Sequence, residues 1–192
     1  MPKIILSYIF PCLLVIANFI VPEASAQIRQ QYTGSNIILI GFETPEGIID
    51  FQSEHLQVRY NKLTERLECR LPVNSLYPLH DSIPEDMAYE VLFGSKYPEM
   101  VFWIETPEAV QSEPSFTEEP VPTTVTIEFQ GTPNQKKVPV VFASEEGYII
   151  LSTTFDMRMS HFRATVPAQY APLLSGRLLI KIRNARWINN PE

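Results

Sequence analysis

The chain has 192 residues, 45% of them hydrophobic, and a formal net charge of −7, enough length for one domain with a sizeable core. With 15 Lys and Arg against 22 Asp and Glu, it lacks the clustered cations that nucleic-acid phosphates or an anionic membrane surface require. Two cysteines exclude a disulfide-built scaffold, so stability has to come from the core.

The first segment is read as removable. Lys3 supplies a positive start, Ile4 to Ile20 is almost wholly apolar, and Ala24-Ser25-Ala26 is an A-x-A cleavage site. The run is short for a membrane span and contains Pro11. Residues 1–26 are therefore predicted to be a signal peptide cleaved after Ala26. Residues 27–192 form a single exported domain, periplasmic or secreted. Cleavage removes Lys3 and Glu23 together and leaves the net charge unchanged. Cys69 is then the remaining cysteine. It sits on the apolar face of the alternating run Leu67-Glu68-Cys69-Arg70-Leu71, which predicts a buried small hydrophobe and not a reactive thiol.

Nearly every later segment has a period of two. Asn36 to Phe42 is apolar and ends at Thr44-Pro45-Glu46-Gly47, a turn. Ile49 and Phe51 share a face in Gly47 to Ser53, and Leu56, Val58 and Tyr60 alternate next. Leu67, Cys69, Leu71 and Val73 form a strand that Pro72 ends or places at an edge. Ser82 to Gly94 reads as a helix: Ser82 and Glu85 have capping-box spacing, Pro84 lies in the first turn, and Gly94 follows as a C-cap. The period then changes, with Met100, Phe102 and Ile104 on one strand face, Val101 and Trp103 on the other.

Glu105 to Pro122 holds five glutamates, four prolines and no Lys or Arg, and is predicted to be a solvated, mobile loop within one domain. Phe116 in it is either a loop anchor or a contact for a partner or lid. Strands resume at Thr123 to Gln130 with Val125, Ile127 and Phe129, and at Lys137 to Ala143 with Val138, Val140 and Phe142. Ser144-Glu145-Glu146-Gly147 is a hairpin turn into Tyr148 to Met159, where Phe155, Met157 and Met159 share a face. Pro167 to Ser175 is a loop or helical turn, and Arg177 to Arg183 ends the set with Leu178, Ile180 and Ile182. Eight or nine regularly spaced strands make an all-β sandwich or a closed barrel.

Catalytic patterns are lacking. His55, His80 and His161 have no metal-ligand spacing, and no nucleophile elbow, C-x-x-C, dinucleotide fingerprint or P-loop is present. Glu118-Glu119 and Glu145-Glu146 fall in predicted loops, and Ser160-His161, on a strand, would point to opposite faces. No enzyme, cofactor or metal is expected.

Five runs carry a resemblance: Gly47-Ile48-Ile49-Asp50-Phe51, Leu71-Pro72-Val73-Asn74-Ser75-Leu76, the stretch Leu92 to Phe102 with Tyr97-Pro98, Ile127 to Gly131 with Val138 to Phe142, and Phe155 through Phe162. Together they resemble the YceI-like family of exported polyisoprenoid-binding proteins. The likeness extends from Gly47 to Ile182. It implies an extended, eight-stranded, lipocalin-like antiparallel β-barrel with one or two short helices, enclosing an isoprenoid or quinone-like chain. The residues that would line such a lumen are Ile49, Phe51, Leu67, Leu71, Met100, Phe102, Ile104, Ile127, Phe129, Phe142, Phe155, Met157 and Phe162. Residue periodicity alone leaves open whether this inward face fills the barrel or lines a cavity.

Gln130, Met159 and His161 depart from the family pattern, and Glu85-Asp86 makes the helix start acidic. A diphosphate head group would want Arg or Lys there, so a ligand is expected to be neutral or to keep its head in solvent. The alternative function is a non-enzymatic interaction module with a filled barrel that meets a protein partner through a loop or an edge strand. Homodimerisation is compatible with either reading.

Overall fold

The computed structural model describes residues 32–106, 119–145 and 148–188. Both the cleavage signal and Phe116 lie outside them. Nine strands are present among the described residues: β1 (Thr33–Thr44), β2 (Gly47–Asn61), β3 (Arg66–Pro72), β4 (Tyr77–Pro78), β5 (Glu99–Glu105), β6 (Val121–Phe129), β7 (Thr132–Glu145), β8 (Tyr148–Arg158) and β9 (Arg177–Ile188). Eight of them run up and down around a closed antiparallel barrel, each bonded to its neighbour in sequence, with β3 joined to β5. Pairing of β9 with β1, through Ile40↔Ile180 and Ile38↔Ile182, completes the ring. The two-residue β4 adds only to the flank of β2. Closure leaves no long free edge, which is the strongest protection a β protein has against edge-to-edge association.

Alternation puts one row of each strand inside. Met100, Phe102 and Ile104 of β5 are fully buried, as are Val125, Ile127 and Phe129 of β6 and Leu178, Ile180 and Ile182 of β9. Three bulges reset the alternation where a simple period of two would fail. Gly47 to Ser53 and Leu56 to Tyr60 are one strand, not two. Between Ser53 and Leu56 an extra β2 residue shifts the register against Ile38 and Asn36, so Ser53 and Leu56 both face inward. On β1 the compensating irregularity carries Ser35 at φ 64. On β9 the shift opposite Leu151 and Thr153 contains Asn184 at φ 47, and it swings Ala185 and Trp187 inward beyond Ile182.

The helix is shorter than the sequence suggests. Only α1 (Met87–Val91) forms; Asp86 is its N-cap, without a side-chain cap hydrogen bond, so the Ser82–Glu85 capping box is not made. Residues 82–86 are turns instead, with the Met87 N–H donating to the Pro84 carbonyl. At the other end Phe93, not Gly94, takes the left-handed conformation at φ 54. The Gly94 N–H donates to the Tyr89 carbonyl and that of Phe93 to Glu90, which is a Schellman cap displaced by one residue. Gly94 is needed for another reason: a Cβ there would lie 2.3 Å from the Tyr89 ring.

Other boundaries differ as well. Val73 lies in a 3-10 turn, Val73–Ser75, after β3 ends at Pro72. Val121 and Pro122, expected in the acidic loop, begin β6 and pair with Val140 and Pro139. Met159 and the Ser160-His161 pair leave the strand for a 3-10 helix, Met159–Phe162, whose left-handed cap is Arg163. Gln130 and Gly131, at φ 48 and 73, make the two-residue turn between β6 and β7.

Candidate functional site

The lumen is built from inward rows whose rings meet across it. Phe102 of β5 and Phe155 of β8 come from strands separated by two others, yet their centroids are 6.4 Å apart in an edge-on contact at mid-barrel. Nearer α1, Phe129 meets Phe162 at 5.7 Å. Toward the opposite end, Phe142 meets Trp187 at 6.3 Å. Phe42 and Phe51 make a fourth edge-on contact, on adjacent strands, at 5.5 Å. Such pairs add about 0.5–1.5 kcal/mol each beyond burial.

Among the described residues, the methionines are confined to one end. Met100, Met157, Met159 and Met87 are all buried, on the first inward position of β5, the last of β8, the following 3-10 helix and α1. Thioether chains repack at low cost, so this end of the lumen is lined by its most adaptable side chains. No charged residue is among the buried inward ones. The polar exceptions are satisfied locally: Thr153 Oγ1 donates to the Pro139 carbonyl, Thr123 Oγ1 to the Val121 carbonyl, and Ser53 and Ser75 share a 2.7 Å hydrogen bond.

All thirteen residues expected to line a lumen face the barrel interior or its ends. Twelve are buried, and Ile49 is half-buried at the rim near the Pro45-Glu46 turn. The lining is closed on itself: Phe102 is 0% exposed and Phe155 only 5%. Leu178, Ile180, Trp187 and the outer methionines belong to the same surface. Trp187 escaped the sequence reading because β9 was expected to end at Arg183, before the bulge that turns Trp187 inward.

The methionine end is covered by α1 and by the segment that follows the 3-10 helix. Met87, Ala88, Val91 and Leu92 are buried beneath α1, while Ala164, Val166, Tyr170 and Leu174 pack on the same core. Glu90 joins the two covers: its Oε2 accepts from Tyr170 Oη at 2.8 Å and from Gln169 Nε2. Burial, then the Glu90 hydrogen bond, raises the Tyr170 pKa. Gln130 ties both covers to the β6–β7 turn, donating from Nε2 to the Val91 and Thr165 carbonyls and accepting from the Thr165 N–H. Sequence reading marked Gln130 only as a departure; nothing in the sequence signalled Glu90 with Tyr170.

Two of the cations around this end, Arg177 and Lys136, are already paired with carboxylates. Arg177 donates to Glu43 and Asp156 at 3.0 Å each, and Lys136 to Asp156 at 2.7 Å. The Lys136 hydrogen bond, reinforced by Arg177 against the cost of burial, lowers Asp156 from 3.8 to about 2. Hydrogen bonds from Ser175 and Arg177 lower Glu43 as well. A carboxylate held down in this way adds stability that is present above its unfolded value and is lost as pH falls through the folded one. Stability of the wild type is therefore expected to decline as pH drops from 3.8 toward about 2, and Asp156→Asn to flatten part of that decline in urea midpoints.

Elsewhere the described chemistry is structural. Burial raises Cys69 to about 12, so its thiol stays protonated and inert. His55, His80 and His161 are exposed, and no three metal-ligating side chains cluster among the described residues. On the outer face Glu68 is buried between Arg59 and Arg70, at 2.5 and 2.6 Å, with the Tyr32 ring over both guanidinium groups. Burial works against the Glu68 carboxylate, but hydrogen bonds from Arg59 and Arg70 outweigh it and lower its pKa.

These features define an all-β, lipocalin-like closed barrel with an uncharged, aromatic- and methionine-rich interior. Among solved structures, the chain is similar to a polyisoprenoid-binding domain from Saccharophagus degradans implicated in plant cell wall breakdown. The TM-score is 0.66 at 10% identity, covering 79% of this chain and 94% of that one. It is also similar to Burkholderia cenocepacia BcnA, with a TM-score of 0.57 at 13% identity over 77% and 93% of the two chains. A likeness to the Campylobacter jejuni YceI protein stands at a TM-score of 0.49 and 12% identity, over 71% and 81%. No family model and no curated protein matches the chain in sequence. The shared property is the fold.

Proposed function

We propose that this protein is a YceI-like carrier that holds a neutral hydrophobic chain, isoprenoid or quinone-like, inside its barrel, without catalysis. The observation that carries this reading is the uncharged interior of a closed barrel that shares its fold with a polyisoprenoid-binding domain. Burial of apolar ligand surface yields about 25 cal/mol per Å², so a long chain needs no charged anchor. The paired state of Arg177 and Lys136 supports a neutral ligand. Because the lining is closed, a bound chain has to displace side-chain contacts, and the methionine end is where displacement costs least. Export after Ala26 belongs to the same proposal, and N-terminal sequencing of the exported protein is expected to begin at Gln27.

A second reading rests on that same closure: the barrel is filled for stability, and the protein acts as an interaction module. The deciding experiment is organic extraction and mass spectrometry of protein purified from its native host. Recovery of a near-stoichiometric prenyl lipid or quinone is the expected result. Protein that yields none, and that takes up none from detergent, would overturn the carrier reading in favour of the module.

A further inference from the structure

We infer that the Phe102–Phe155 pair is the floor of the binding compartment and sets the length of chain that the barrel accepts. This inference rests on the carrier reading and adds to it a specificity-determining residue pair. The two rings come from strands on well-separated parts of the ring of strands and meet at 6.4 Å, so together they close the lumen at mid-height. On the α1 side of that contact, the inward positions two residues along are Met100 and Met157, followed by Met159 and Phe162. On the far side the inward residues are Ile104, Thr153 and Leu151, then the Phe142–Trp187 contact.

The two halves differ in how readily they admit a guest. Methionine has three rotatable bonds and no branch, whereas Ile104 and Thr153 are β-branched with few rotamers, and Trp187 is the largest buried side chain. A chain entering beneath α1 therefore meets side chains that give way, then two edge-on rings backed by stiff ones. It stops there. Along a strand the inward positions repeat about every 7 Å, so the compartment above the floor is only two or three layers deep. The wild type is built for a short isoprenoid, or for the first few units of a longer one whose remainder stays outside.

The test compares retention of farnesol and solanesol after incubation in mild detergent, for wild type, Phe155→Leu and Phe102→Leu. A change on the outer face of β5, Trp103→Leu, serves as the control. The wild type is expected to bind solanesol no more tightly than farnesol, because the extra units gain no burial. Opening the floor is expected to raise the solanesol-to-farnesol affinity ratio by about tenfold, equivalent to burying roughly two further methylenes. Trp103→Leu is expected to leave the ratio unchanged. Should one floor variant fail to fold, the other carries the measurement. An unchanged ratio in a folded floor variant, or an equal rise in Trp103→Leu, overturns the floor while leaving the carrier reading intact. A wild type that retains neither alcohol overturns both.

Discussion

Phe102→Ala is expected to lower stability by about 3–5 kcal/mol. The ring is wholly buried, contacts Phe155 at 6.4 Å, and sits on a strand paired on both sides, with Cys69 and Ile127 as its cross-strand partners. A barrel strand held by hydrogen bonds along both edges cannot move inward to close the space left behind. The cost therefore includes most of the cavity as well as the lost transfer of the ring. Trp103→Ala, one residue away on the outer face, removes a larger side chain from a half-buried site, where about 1 kcal/mol is expected. Urea denaturation of both variants gives the comparison. A Phe102→Ala loss no larger than that of Trp103→Ala would show that the ring does not fill the mid-lumen.

The second large effect is expected at Asn36, where Asn36→Ala should cost about 2–3 kcal/mol. Asn36 is 5% exposed and lies between the two register shifts of β1, at the point where ordinary ladder pairing to β9 has stopped at Ile37↔Arg183. Its Oδ1 accepts from the Arg186 N–H at 2.7 Å, and its Nδ2 donates to the Arg186 and Thr33 carbonyls. One side chain thus stands in for a missing stretch of backbone pairing at the seam that closes the barrel. Alanine removes these part-buried hydrogen bonds and leaves their backbone partners without the side chain that satisfied them. An unmade hydrogen bond away from solvent costs more than a made one contributes. Hydrogen exchange at the Arg186 amide should quicken along with the drop in denaturation midpoint. Unchanged exchange there would mean that the seam is held by other contacts.

The role of Asn36 also marks the limit of what could be read from the chain. It appeared as the polar first residue of an apolar run, and nothing local distinguished it from a solvated strand end. Its partner is 150 residues away, so its value depends on ring closure. Gln130 is similar. It reads as the end of the strand from Thr123, and the reach of its amide to Val91 and Thr165 exists only after the helix and the late loop fold onto the same barrel end. The short α1 has a related cause. The Ser82–Glu85 spacing suits a capping box, yet residues 82–86 run as turns, and the residues buried on the core begin only at Met87, with Ala88, Val91 and Leu92. Packing outweighed local capping worth about 1 kcal/mol.

By itself, the sequence determined which face of each strand is apolar, where Cys69 is hidden, where the Tyr97-Pro98 break starts β5, and that no catalytic constellation is spelled out. Alternation is a property of neighbouring residues, and backbone geometry converts it directly into an inside and an outside. Only the tertiary structure decided that the sheet closes through β9 and β1, that the bulges at Ser35, on β2 before Leu56, and at Asn184 reset that alternation, and that Phe102 meets Phe155 across the lumen. Register and closure depend on pairing between distant segments. A one-residue shift anywhere around the ring changes which side chains meet without changing the local pattern.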